Sequence, residues 1–289
     1  MGNAAGALRA AAQTLTEISD TPRLDAELLM AHALQMERSQ LLLKLPDLQS
    51  PAEFDALIAR RQRSEPVAHI IGMKEFWGLD FEVSPDVLIP RPDSELLIEE
   101  AVRLHADAPP ARILDLGTGS GALLLAALHE FPDAQGVGID ASAAALQIAH
   151  NNADALGLAD RARFLLLDWT VPDWTDAVGQ DYDLLLANPP YIATGVQLAA
   201  DVADFEPHQA LFAGKDGLDD YRIIIPALAQ LLSPTGCALL EIGYDQAIPV
   251  SQLAADSGYS VELKQDLSGK DRLLILRPEK GLGFAEATR

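Results

Sequence analysis

Apolar residues recur at helical spacing near the start of the chain: Leu8, Ala11, Ala12, Leu15 and Ile18 share one face. Thr21-Pro22 opens a second helix. Proline sits in its first turn, where the missing N–H is not needed, and Leu24, Leu28, Leu29 and Leu34 form its apolar side. Leu41 to Leu45 is a short apolar run, and Ser50-Pro51-Ala52-Glu53 reads as a cap before a helix through Leu57 and Ile58. Residues 1–64 thus predict a small bundle of short helices. It has no glycine-rich loop and no cluster of His or Glu, so docking suits it better than chemistry.

The pattern then changes period. Val67, Ile70, Ile71, Phe76, Trp77, Leu79, Phe81 and Val83 are β-formers broken by Gly72 and Gly78, which predicts a β-hairpin linker over 65–88. Ile89-Pro90-Arg91-Pro92-Asp93-Ser94-Glu95 follows as an extended segment, with Asp93 or Ser94 capping a helix to about His105. From residue 111 short apolar runs alternate with helical patterns. Strands are expected at 112–116, 136–139, 163–167, 182–187, 237–242, 260–263 and 272–276. Helices are expected at 122–129, at 218–232 and from a Ser142 cap to Leu156. Seven strands alternating with helices predict an α/β fold, a doubly wound, mostly parallel sheet of the Rossmann-like kind. Residues 280–289 read as a flexible tail.

Charge narrows the partners. The chain carries 43 acidic against 21 basic residues, a net charge of −22. Such a surface repels phosphate backbones, so free nucleic acid is not expected as a substrate. The one basic run, Arg60-Arg61-Gln62-Arg63, reads as the charged end of a helix, favoured by the macrodipole. Cys237 is the only cysteine and sits in an apolar strand, so neither an internal disulfide nor a cysteine-rich zinc site can form. The six histidines are scattered without metal-ligand spacing, and no metal is expected. No stretch is long and apolar enough to span a bilayer, and Gly6 stands where a myristoylation signal wants Ser or Thr. A cytoplasmic monomer with no membrane partner is the expectation.

The candidate chemistry lies at the carboxyl ends of the predicted strands, where open α/β sheets hold their ligands. Asp115-Leu116-Gly117-Thr118-Gly119-Ser120-Gly121 joins the first strand to its helix. Its third glycine comes one residue too early for a dinucleotide fingerprint, and the compact spacing fits a loop for the amino-acid part of S-adenosylmethionine. Asp140 ends the second strand and can accept both ribose hydroxyls, which supports a nucleoside without choosing between NAD and S-adenosylmethionine. Asp168 and Trp169 end the third strand, where a carboxylate can accept from an adenine amino group and an indole can cover the ring; a plain strand-end turn explains the pair too.

Asn188-Pro189-Pro190-Tyr191 ends the fourth strand. A planar nitrogen donates two N–H bonds. The Asn188 side-chain oxygen can accept one and the Pro189 carbonyl the other, while the prolines hold that carbonyl in place. Tyr191 can stack on the planar group and face a sulfonium. The chain therefore reads as an S-adenosylmethionine-dependent methyltransferase acting on a planar amide or amine nitrogen.

Taken together these motifs resemble the bacterial peptide chain release factor N5-glutamine methyltransferases of HemK/PrmC type, over nearly the whole chain. The landmarks are Ile89-Pro90-Arg91-Pro92-Asp93-Ser94-Glu95, the Gly117–Gly121 loop and Asn188-Pro189-Pro190-Tyr191-Ile192. Later ones are Glu206-Pro207 with Ala210-Leu211, Asp216-Gly217-Leu218, Glu241-Ile242-Gly243 with Gln246, and Asp266-Leu267 before Asp271-Arg272. Where this chain has Ser94 the family usually has Thr, which keeps the hydroxyl.

The resemblance implies an N-terminal helical substrate-docking domain (1–64), the hairpin linker and a methyltransferase domain (89–279). It implies methylation of the glutamine in the Gly-Gly-Gln motif of class 1 release factors. It also implies cofactor contacts by Gly117, Thr118, Gly119, Gly121, Asp140, Trp169 and Asn188, to which the loop and strand-end positions add Ser120 and Asp168. Asn188, Pro189 and Tyr191 would carry catalysis, with Pro190 and Ser94 also touching substrate. A sister family that methylates a glutamine of ribosomal protein L3 shares the catalytic loop, as do, more remotely, adenine N6-methyltransferases. The expected mechanism is positioning: two acceptors orient a poorly nucleophilic amide, alignment supplies much of the acceleration, and no tuned general base is required.

Overall fold

The computed structural model describes residues 3–279. The tail expected to be flexible, residues 280–289, and the Met1-Gly2 start lie outside the described residues. The described residues form two compact units, 3–73 with 198–206, and 74–197 with 207–279.

The first unit is helical. Its helices are α1 (Ala4–Thr14), α2 (Pro22–Ala33), α3 (Arg38–Lys44), α4 (Phe54–Arg61) and α5 (Val67–Ile71). Asn3 caps α1 by accepting from the Gly6 N–H at 2.8 Å, and Pro22 begins α2 as its position predicts. Leu8, Leu15, Leu29, Met30, Leu41 and Phe54 fill a core of their own.

One expectation changes here. Val67–Ile71 is a helix rather than part of the hairpin, begun by Pro66 and ended by Gly72 at φ 79°. Ile70 is buried in the helical core, and that packing overrides the β-preference of its branched side chain. The basic run does end a helix, with Arg60 and Arg61 in the last turn of α4, and Arg61 is turned inward. It is 5% exposed, and its Nε donates to Asp25 Oδ2 at 2.8 Å, joining α4 to α2 through a buried ion pair.

The second unit opens with a hairpin, β1 (Met73–Phe76) and β2 (Leu79–Glu82), turned at Trp77 and Gly78, both with positive φ. A tight turn at Pro92–Ser94 leads into α6 (Glu95–Leu104). Then come β3 (Arg112–Leu116), α7 (Ala122–Glu130), β4 (Gln135–Asp140), α8 (Ala143–Ala155), β5 (Ala162–Leu166), α9 (Trp174–Val178) and β6 (Tyr182–Ala187). The chain continues through α10 (Ala200–Ala203), which belongs with the helical unit, then α11 (Asp219–Leu231), β7 (Leu232–Glu241), α12 (Ala247–Asp256), β8 (Tyr259–Gln265) and β9 (Asp271–Pro278).

The strand order is β5-β4-β3-β6-β7-β9-β8. β9 runs antiparallel to both neighbours, and the pairs from β5 to β7 are parallel. β6 carries the continuous apolar run Leu184-Leu185-Leu186-Ala187, and Ile113, Leu114 and Leu116 of β3 are fully buried too, because both sheet faces are covered. Leu124, Leu128 and Phe81 pack on one face, Tyr221, Ile225 and Leu228 on the other. The chain winds outward through β4 and β5, then returns to β6 on the other side of β3. That reversal opens a crevice outside the carboxyl ends of β3 and β6, where such sheets bind ligands.

Candidate active site

A cavity of about 350 Å³ lies at this crevice. Gly117 and Gly119 line it from the β3 loop, Asp140 from β4, Asp168 and Trp169 from beyond β5, and Asn188 and Pro190 from beyond β6.

The glycine loop is held from behind. The N–H groups of Gly117 and Thr118 both donate to the Ile139 carbonyl, at 3.0 and 2.9 Å. Thr118 Oγ1 donates to Asp115 Oδ2 at 2.6 Å, which turns the side chain inward. Ser120 is buried as well, and its carbonyl accepts from Asn152 Nδ2 at 2.9 Å. Thr118, Ser120 and Gly121 therefore shape the loop from inside and do not line the cavity. Gly117 has φ 71°, and a Cβ there would meet the Trp169 ring at 3.1 Å. Asn152 is a brace the sequence reading missed: its Oδ1 accepts from the Glu82 N–H at 2.7 Å, so one buried amide ties β2 to the loop.

Asp140 accepts from the Gly119 N–H at 2.9 Å with one oxygen and from the Ser142 N–H at 2.8 Å with the other. Burial pushes its carboxyl up, against the pull of these backbone donors. Each carboxylate oxygen keeps a further lone pair for a ligand. Asp168 holds the Thr170 N–H and hydroxyl with Oδ1, at 2.8 and 2.7 Å. Trp169 Nε1 donates to Asp220 Oδ1 at 2.7 Å, and Asp220, absent from the sequence reading, also lines the cavity. Burial raises the Asp220 carboxyl too.

The Asn-Pro-Pro-Tyr loop rests on landmarks that had no assigned role. Gln246 Nε2 donates to the carbonyls of Tyr191 and Gly217, at 2.9 and 3.1 Å, while its Oε1 accepts from the Gly243 N–H at 3.0 Å. A Cβ on Gly217 would lie 2.3 Å from the Tyr191 carbonyl, so only glycine admits this approach. Pro189 is buried, and Tyr191 points its hydroxyl toward Glu241 Oε1 at 3.4 Å rather than lining the cavity. Burial, with the Glu241 charge beside it, pushes the Tyr191 phenol up to about 12.

Ser94 does not cap α6. Its Oγ donates to Glu241 Oε2 at 2.5 Å and accepts from Asn188 Nδ2 at 3.2 Å. Ser94 itself is 4% exposed and sits behind Asn188, outside the cavity lining. The buried acid at the end of β7 takes the serine proton, and the hydroxyl is turned toward it and Asn188 rather than toward the free N–H groups of α6. Glu241 was visible in the sequence as the one charge ending the apolar strand Cys237–Ile242.

Residues 6–72 match the family profile described as the PrmC N-terminal domain, and residues 108–224 match one described as a methyltransferase domain. Sheet order, glycine loop and strand-end acids thus define a methyltransferase. The chain is 43% identical over 281 residues to the release factor glutamine methyltransferase of Cereibacter sphaeroides, covering 95% of this chain and 98% of that one. It is 42% identical over 264 residues to its counterpart from Rhodospirillum rubrum, covering 89% and 79%. A solved methyltransferase from Pyrococcus furiosus shares the fold, with a TM-score of 0.53 at 17% identity over 78% of this chain and 98% of that one. The chain belongs to the release factor glutamine methyltransferase family.

Proposed function

We propose that this chain transfers a methyl group from S-adenosylmethionine to the side-chain nitrogen of the Gly-Gly-Gln glutamine in class 1 release factors, in the cytoplasm and as a monomer. The observation that carries this reading is the join at Asn188. It lines the cavity beside the nucleoside-type groups and belongs to a rigid loop whose side-chain and main-chain oxygens suit a primary amide.

The cavity's charge supports the donor. Asp86, Asp140, Asp168 and Asp220 line it, and no Lys, Arg or His does so among the described residues. Four carboxylates favour a ligand bearing a sulfonium and an ammonium and repel a pyrophosphate, which argues against NAD. Asp140 would hold the ribose hydroxyls, Trp169 and Asp168 the adenine, and the Gly117–Gly119 backbone the amino-acid end. Bound there, the donor supplies an electrophilic methyl. Asn188 and the Pro189 carbonyl orient the amide. The developing nitrogen proton leaves to a carbonyl or to solvent. The helical unit, which lacks chemistry-bearing clusters, docks the folded factor.

Incubation with labelled S-adenosylmethionine and an intact release factor is expected to place one methyl on the Gly-Gly-Gln glutamine, read by peptide mass spectrometry. Label on ribosomal protein L3 or on DNA adenine instead would remove the substrate assignment. Asp140→Ala is expected to weaken S-adenosylmethionine binding by at least about tenfold, since a hydrogen bond to a charged group contributes about 1.5–3 kcal/mol. Unchanged affinity by calorimetry would take Asp140 out of the site.

A further inference from the structure

We propose that Glu241 is a positioning residue for methyl transfer: through Ser94 it fixes which end of the Asn188 side-chain amide faces the cavity. This rests on reading Asn188 as the acceptor for the substrate amide.

The number of protons available fixes the order of donors and acceptors. An ionised carboxylate only accepts hydrogen bonds, whereas a serine hydroxyl has a single proton to give. At 2.5 Å Ser94 gives that proton to Glu241 Oε2, so toward Asn188 it can only accept. The Asn188 group facing Ser94 must then be the NH₂, which donates at 3.2 Å. The amide oxygen is left for the cavity, where a glutamine nitrogen needs an acceptor. A reversed Asn188 would present N–H against N–H and reject the substrate. Glu241 never touches substrate in this scheme; it acts through two intervening side chains.

The setting suits such a device. Glu241 is 1% exposed. Tyr191 approaches its Oε1 from the catalytic loop, and the Tyr221 hydroxyl donates to its backbone carbonyl at 2.7 Å. Arg272 from β9 favours the ionised form, while Asp93, paired with Arg272 at 3.2 Å, opposes it. Burial pushes the carboxyl up to about 7 against the pull of Ser94. When protonated, Glu241 can donate to Ser94, which frees the serine proton to point at Asn188 and favours the reversed amide. The competent order is therefore present above that pH and lost as the pH falls through it.

Single-turnover methylation at saturating cofactor tests this with the full-length protein and an intact release factor. The wild-type rate should fall about tenfold from about pH 8 to about pH 6, following ionisation of one group. Glu241→Gln should flatten this limb and run at least about threefold below the wild-type plateau, because a neutral amide specifies the order weakly. Ser94→Ala should also be flat and at least about tenfold below the plateau, with cofactor affinity unchanged. Ser94→Thr, which keeps the hydroxyl, should restore both rate and limb. If the limb survives in Glu241→Gln, or Ser94→Ala keeps the wild-type rate, the relay is wrong while the function stands. If the wild-type protein methylates no glutamine, the function itself is wrong.

Discussion

Asn188→Ala is expected to lower single-turnover methyl transfer by about a hundredfold or more, while S-adenosylmethionine affinity changes by less than about tenfold. The magnitude follows from removing one preorganised polar group aimed at the reacting centre, which elsewhere costs about 10²–10³ in rate. The asymmetry follows from placement. Gly117, Gly119, Asp140 and Trp169 line the cavity from β3, β4 and beyond β5, and none relies on Asn188 for its hydrogen bonds. The substrate amide has fewer partners. Without Asn188 its only loop acceptor is the Pro189 carbonyl, and a single hydrogen bond leaves the amide free to rotate away from the line of attack. Asn188→Asp should fare little better. Its carboxylate keeps an acceptor but cannot donate to Ser94, and it would compete with Glu241 for the one serine proton. A near-normal single-turnover rate in Asn188→Ala would overturn the role given to this residue.

The elements legible in the sequence were those whose own pattern decides them. β3 and β6 are buried on both faces, and an unbroken run such as Leu184-Leu185-Leu186-Ala187 has no other use in a doubly wound sheet. Ser142 was readable as a cap because its oxygen does what serine does at a helix start, accepting from the Ala145 N–H at 3.2 Å. The misses came from partners distant in sequence. Val67–Ile71 has strand composition and becomes a helix because Ile70 packs into a helical core. The Arg61 ion pair was hidden because its partner, Asp25, lies 36 residues away. α12 was not anticipated, although Pro249 stands in its first turn, where proline is admitted.

The site divides the same way. Gly117, Gly119, Asp140 and Asn188 stand at strand ends, where the strand pattern, the glycine spacing and the residue types together point to them. What supports them was not readable from spacing: Asn152 behind the glycine loop, Asp220 against the Trp169 indole, Gln246 beneath Tyr191, and Glu241 bonded to Ser94 across 147 residues of chain. Those groups are polar side chains inside the protein, and their partners are known only once the sheet is folded.

The substrate prediction turns on the helical unit. Glutamine amides occur in every protein, so the catalytic loop cannot choose one, and selectivity has to come from binding energy far from the methyl group. Intact release factor should therefore be methylated with a kcat/KM at least about a hundredfold above that of a short Gly-Gly-Gln peptide. Within the helical unit, α3 is the place to test this. On α3, Leu43 is 84% exposed and Leu42 40% exposed, side by side in a unit whose own core is already filled. The large exposure of Leu43 makes it the residue to test as an anchor for a folded protein. Leu43→Asp should lower kcat/KM for the intact factor by about tenfold, equivalent to about 1.4 kcal/mol of lost binding. The peptide reaction and the thermal midpoint should stay nearly unchanged, since exposed substitutions shift stability by about 0.5 kcal/mol or less. A substitution that slows peptide and intact factor alike would place Leu43 in folding rather than recognition. Equal efficiency of the unaltered enzyme on both substrates would end the docking role of the helical unit.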